Sequence, residues 1–282
     1  MTNFAKLEQY FTFADIIEIM NKKKTSWGEV ADWYQLLLQG EGTYQNDVIL
    51  PNLLRLLEIQ KGETILDLAC GPGFFSQEFL KKGAKVIGVD ISKELIEIAK
   101  SSIQEDQRGR ILYFVSSAND LKFLKDESLD KAVIVLAIQN MENVQGVFNE
   151  CGRVLKENGK LFLVMNHPAF RIPKASGWEW DAKNKVQYRR IDSYLSESKE
   201  KIEMHPSASR RRMPSEYTLS FHRPLQFYFK ALQKSGFLAS RLEEWNSNKK
   251  SEPGPRASAE NKARKEIPLF LFLEAIKLKE DI

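Results

Sequence analysis

The sequence predicts an α/β fold: a doubly wound, mostly parallel, seven-stranded sheet with helices on both faces, an N-terminal helical cap and an insertion after the fifth strand. Three observations predict it. From residue 64 onward, short apolar runs at 64–68, 85–89, 111–115, 132–136 and 160–166 alternate with segments of helical spacing at 75–82, 93–102 and 144–155. Strands separated by helices pair in parallel through right-handed crossovers, which restricts the topology to a sheet covered on both sides. The first run ends in a glycine turn that opens a helix, and the second ends at Asp90. Finally, a helical segment at 224–234, stopped by Gly236, precedes two more apolar runs at 237–244 and 269–276 that complete the sheet.

Before the alternation starts, residues 1–58 read as a helical cap. Apolar residues recur at helical spacing over 6–20, and a basic run, Lys22 to Lys24, leads to Thr25-Ser26 as a helix start. A second helix at 27–38 gathers Trp27, Val30, Ala31 and Tyr34 near one face, and a third at 48–57 carries Pro51 near its start, where proline is tolerated. Residues 59–166 form the core, 167–222 an insertion rich in aromatic, basic and serine residues, and 223–282 the closing helix and strands. The polar stretch 246–265, with Pro253, Gly254 and Pro255, reads as a loop.

Bulk properties narrow the function classes. The 282 residues are 43% hydrophobic and 28% charged, enough apolar content for a substantial core. A net charge of +4 does not demand a nucleic-acid partner. Two cysteines, Cys70 and Cys151, make no disulfide framework, and with three scattered histidines they make no metal-ligand spacing. No segment has the ~18–20 apolar residues needed to span a bilayer, and the start lacks the features of a signal peptide, so the expected location is the cytoplasm.

The chemistry concentrates at Asp67-Leu68-Ala69-Cys70-Gly71-Pro72-Gly73. Glycines let backbone approach a ligand closely, and the helix that follows offers unpaired N–H groups. Ser76 stands where a dinucleotide fingerprint has its third glycine. A carboxylate at Asp67 would repel a pyrophosphate and attract an ammonium group, while Asp90 is placed to accept hydrogen bonds from ribose hydroxyls. Together these favour a ligand with an amino-acid end, a ribose and no phosphate. A dinucleotide, or a tight turn without a ligand, are the competing readings.

Asp-Leu-Ala-Cys-Gly-Pro-Gly followed by Val-Ile-Gly-Val-Asp-Ile-Ser resembles the first two motifs of the class I S-adenosylmethionine-dependent methyltransferases, nearest to the group that includes ubiquinone and menaquinone biosynthesis methyltransferases. The resemblance covers residues 25–166, and the segments after Pro224 more loosely. It implies a Rossmann-like core that binds S-adenosyl-L-methionine and releases S-adenosyl-L-homocysteine. Asp67, Ala69, Gly71 and Gly73 would line the methionine part, Asp90 would hold the ribose and Ile91 would pack on the adenine. The family's Asp-Ala after the third strand is replaced by Ser117-Ala118, so the adenine contact falls to Ser117 or to Asn119. Asp130 stands for the family's acidic residue before the fourth strand. The exit of that strand, including Ala137, would face the reactive end, and Tyr34 would cover the cofactor.

His167, directly after the fifth strand, and His222, before the last helix, are the candidate bases. The alternative for His167 is a residue that caps the strand end. Arg223 could bind an acidic acceptor group or sit at the surface. Trp178, Trp180, Tyr188 and Tyr194 suit either a lid over an apolar acceptor or simple packing. His205 reads as solvated. Arg189, Arg190 and Arg210 to Arg212 raise the possibility of an RNA acceptor, although short charge runs are commonly solvated loops. The expected activity is methylation of a small molecule at O, N or C, by a monomer or homodimer. An RNA or protein methyltransferase on the same fold, and a non-catalytic nucleotide-binding module, are the alternatives.

Overall fold

In the computed structural model, which describes residues 27–204 and 217–279, the apolar runs assemble into one seven-stranded sheet. Its first five strands are β1 (Thr64–Leu68), β2 (Lys85–Asp90), β3 (Ile111–Val115), β4 (Leu129–Val135) and β5 (Leu155–Asn166). Two hairpins follow, β6 (Ser176–Asp181) with β7 (Val186–Ile191) and β8 (Ser198–Glu203) with β9 (Tyr217–His222). β10 (Phe237–Trp245) and β11 (Phe270–Lys277) then rejoin the sheet, in the order β10-β11-β5-β4-β1-β2-β3. β1 to β5 run parallel, and β11 lies antiparallel between β5 and β10.

The helices are α1 (Ala31–Gln39), α2 (Leu50–Leu57), α3 (Phe74–Lys81), α4 (Lys93–Ser101), α5 (Val144–Val154), α6 (Leu225–Lys234) and α7 (Ala257–Glu266). They cover both faces because each parallel strand sends alternate apolar side chains to opposite sides. Leu66, Leu68, Ile134 and Leu163 pack with Phe148 of α5 and Leu232 of α6. Ile65, Val133 and Phe162 pack on the other side with Leu53 of α2 and Phe79 of α3. All five positions of β1 are buried. The strand order reverses between β1 and β4, and the crevice at the carboxyl ends of those strands is where open α/β sheets take their ligands.

Two local expectations change. The stretch expected as a loop at 246–265 contains α7, which packs against β7. Its only buried residue is Ala263, so it carries no apolar stripe to read in the sequence. The helix expected from residue 48 starts as a π-helical turn, Gln45–Ile49, that runs into α2. Asp130 lies at the start of β4 and accepts hydrogen bonds from Thr64 N (2.7 Å) and Lys156 Nζ (2.6 Å), tying the beginnings of three strands together. The expected helix at 6–20, the basic run that follows it, His205 and Arg210 to Arg212 lie outside the described residues.

The segment between β3 and β4 has no helix and is held by Arg153 of α5. Its guanidinium donates to the carbonyls of Leu121 and Leu124, both at 2.8 Å, and to Asp126 and Glu150. Arg153→Met is expected to cost about 2–4 kcal/mol, because it strands two carbonyls and frees two carboxylates. Urea denaturation would measure the loss, and an unchanged midpoint would show that the segment does not depend on this clamp.

Candidate functional site

A cavity of about 700 Å³ opens at the carboxyl ends of β1, β2 and β4. Ala69 and Gly71 come from the turn after β1, Asp90 and Ile91 from the end of β2, and Leu136 and Ala137 from the exit of β4. Ser116 to Asn119, after β3, form one side. Tyr34 of α1 covers the turn, with Trp27 packed edge-on against it at 5.4 Å. At the other end the cavity is closed by Met141, Glu142 and Asn143 and by Tyr217, Thr218 and Leu219 of β9.

The turn after β1 is left-handed at three alternate positions: Ala69 (φ 58°), Gly71 (φ 56°) and Gly73 (φ 85°). This conformation turns the Gly71 N–H toward Asp90, whose Oδ2 accepts it at 2.9 Å, while Oδ1 accepts from Ser92 N at 2.8 Å. Asp90 therefore ties the β1 turn to the start of α4, which Ser92 caps through Leu95 N. Burial raises the Asp90 pKa from its usual range, opposed by these N–H donors. Each carboxylate oxygen retains a lone pair for a further donor in the cavity.

The two glycines have different reasons to be glycine. A Cβ at Gly71 would approach Tyr34 at the cavity surface, in a backbone region that side chains rarely adopt. A Cβ at Gly73 would fall on the Tyr113 hydroxyl, and one at Gly88 on the Tyr113 ring. Gly73 thus permits close packing of helix on strand beneath the cavity, and it does not line it.

Asp67 also lies beneath the floor. It is 2% exposed and accepts a 2.6 Å hydrogen bond from Ser76 Oγ. Burial, reinforced by the charge of Asp90, pushes its pKa up to about 7. Between its ordinary value of 3.8 and about 7, the folded protein keeps a proton that the unfolded chain releases. The contribution of this group is therefore most favourable below the lower value and is lost as pH rises through the upper one. Asp67→Asn should flatten that fall, measured by urea denaturation at about pH 5 and about pH 8; an identical decline in the variant would assign it to another group.

The structure thus gathers Tyr34, Ala69, Gly71, Asp90, Ile91, Ser117, Ala118 and Ala137 around one cavity, with Asp67 and Gly73 below it. Ser117 and Asn119, the two alternatives after β3, both line it, and Ser117 Oγ donates to Asn119 Oδ1 at 2.5 Å.

The two histidines are not brought there. His167 is buried, with Nε2 2.7 Å from Glu244 Oε1 and Nδ1 accepting from Ala169 N at 3.2 Å. Both ring nitrogens are engaged, Nε2 with β10 and Nδ1 with the backbone just after β5, so the strand-capping alternative describes it. His222 Nε2 donates to the Tyr194 carbonyl at 2.7 Å. Arg223 is buried, with Nη2 on the Glu142 carbonyl at 2.8 Å.

None of the four insertion aromatics lines the cavity, and three of them make contacts within the fold. Trp178 lies under Arg189, Trp180 under Arg256, and the Tyr194 hydroxyl accepts from Leu225 N. Tyr188 is on β7 and half exposed. Arg189 donates to the Phe170 carbonyl, and Arg190 pairs with Glu179 and Asp192. The part of the insertion that does reach the cavity, Tyr217 to Leu219, was missed, although its Tyr-Thr-Leu-Ser-Phe-His alternation is a legible strand signal. Among the described residues no cluster of metal-ligating side chains occurs, and no helix is long and apolar enough to cross a membrane.

The seven-stranded sheet, with β11 antiparallel between β5 and β10, is the fold of solved S-adenosylmethionine-dependent methyltransferases, and residues 66–163 match a family described as a methyltransferase domain. A crystal structure of an S-adenosylmethionine-dependent methyltransferase from Mesorhizobium loti superposes with a TM-score of 0.63 at 25% identity, covering 83% of this chain and all of that one. An uncharacterised protein of Haemophilus influenzae is 32% identical over 55% of this chain and 63% of its own length. A demethylmenaquinone methyltransferase of Tropheryma whipplei is 31% identical over 40% of this chain and 46% of its own. A ubiquinone biosynthesis O-methyltransferase of Xanthomonas oryzae is 32% identical over 36% and 42%. The chain thus spans about half the length of these curated relatives.

Proposed function

We propose that the chain transfers the methyl group of S-adenosylmethionine to a small-molecule acceptor. The observation that carries this reading is Asp90, held by Gly71 N and Ser92 N at the edge of a cavity lined, among the described residues, by no lysine, arginine or histidine. Such a cavity sets the Asp90 carboxylate and no cationic side chain, among the described residues, toward its ligand, which favours a ribose and net positive charge over a pyrophosphate. Asp90 would take the ribose hydroxyls, Ile91, Ser117 and Ala118 the adenine, and Ala69 and Gly71 the methionine end under Tyr34. Asp67, beneath the floor, would respond to the positive charge by losing its proton, so affinity would rise with pH up to about 7 and then level off.

The cofactor supplies an activated methyl group. That methyl group would be available for in-line transfer to an acceptor held against it, and the acceptor's proton would pass to solvent or to a base. The protein's part is to align the acceptor and exclude water. The curated relatives' names favour a quinone-related acceptor. Arg189 and Arg190, already engaged, give no support to an RNA acceptor.

The test is to incubate the protein with S-adenosylmethionine and either a low-molecular-weight metabolite fraction or total RNA, and to follow release of S-adenosylhomocysteine. Release with the metabolite fraction alone is expected. Release with RNA alone would contradict the small-molecule reading.

A further inference from the structure

One carboxylate outside the cavity lining joins two of its sides. The cover of the cavity is α1 with the 3₁₀ turn before it, Gly28–Val30, which together place Trp27 and Tyr34 against the cavity. That turn packs on α4, and Val30 and Ala31 are buried there. Glu94 stands in the first turn of α4. Its Oε2 accepts from Ser92 Oγ at 2.9 Å, and the same carboxylate lies against Gly28 of the cover. Ser92 N donates to Asp90 Oδ1 at 2.8 Å, and Gly71 N to Asp90 Oδ2 at 2.9 Å. A continuous chain of contacts thus runs from the cover through Glu94, Ser92 and Asp90 to the β1 turn.

The contact explains why residue 28 is glycine. Its backbone is not left-handed, so its conformation is open to any side chain. A Cβ there would overlap the Glu94 carboxyl group, and the three nearest atoms it would meet all belong to that group. The carboxylate could make room only by swinging away from the cover. A ligand seated between Asp90 and the β1 turn lies beneath Tyr34, so its departure depends on how firmly the cover is held.

We propose that Glu94 is a positioning residue that latches the cover to the Asp90 side of the site and thereby sets how long the cofactor and its product stay bound. The inference rests on the S-adenosylmethionine reading and deepens it.

Two variants test it. In the free protein, hydrogen exchange at the amides of α1 should quicken about tenfold in Glu94→Ala and in Gly28→Ala. In both, S-adenosylhomocysteine should dissociate about tenfold faster, read by surface plasmon resonance. Glu94→Ala also removes an acid that favours the start of α4. Gly28→Ala leaves α4 intact, and alanine in a helical turn would otherwise stiffen the cover. Faster exchange and faster dissociation in Gly28→Ala therefore assign the effect to the latch. The double variant should lose no more than Glu94→Ala alone, because its added methyl group has no carboxylate to displace. Wild-type exchange or wild-type dissociation in Gly28→Ala, or additive losses in the double variant, would overturn the inference. Failure of the wild type to bind S-adenosylhomocysteine would strike the proposed cofactor, and the exchange measurement would still decide the latch.

Discussion

Asp90→Ala is expected to lower the affinity for S-adenosylmethionine at least about 100-fold, since hydrogen bonds to a charged group are worth about 1.5–3 kcal/mol each and a ribose offers two hydroxyls. The same substitution deprives Gly71 N and Ser92 N of their acceptor, so part of the loss would come from a loosened β1 turn. Asp90→Asn helps to apportion the two causes. Its amide oxygen accepts one N–H while its NH2 faces the other donor, so it should lose less stability than Asp90→Ala and, with the charge gone, still bind at least about tenfold more weakly than wild type. Calorimetry and thermal melting together check the pair. Wild-type affinity in Asp90→Ala would show that the carboxylate only shapes the turn.

Gly88→Ala should destabilise the protein by about 3 kcal/mol although Gly88 has ordinary strand geometry, because a Cβ there would meet the Tyr113 ring and lie 3.0 Å from Cys70 Sγ. The two shortest contacts are with that ring. Adding Tyr113→Leu should return much of the lost stability, a coupling that a double-mutant cycle in urea would measure. Additive losses would place the strain elsewhere. Gly73 and Gly88 both meet Tyr113, so the turn that forms the cavity floor is held from below by one side chain.

The core of the fold was legible because burial on both faces makes parallel strands continuous apolar runs, and β1 to β5 announce themselves that way. Most of the cavity was legible for a related reason: the ends of consecutive parallel strands must converge, so Ala69, Gly71, Asp90, Ser117 and Ala137 share a neighbourhood whatever the details. What failed to show was long-range. No local signal tells that His167 turns toward Glu244 on β10, that Arg223 reaches the Glu142 carbonyl, or that β9 folds back over the cavity. α7 was invisible because a helix with one buried residue has no periodicity. Gly73, which the resemblance put beside the methionine part of the cofactor, packs against Tyr113.

The central claim is that this cavity takes S-adenosylmethionine. Calorimetric titration of the full chain with S-adenosylmethionine, and with NAD as the dinucleotide control, tests it most directly. One site of roughly micromolar affinity for S-adenosylmethionine and no measurable heat from NAD is the predicted result. Binding of NAD alone, or of neither, would contradict it.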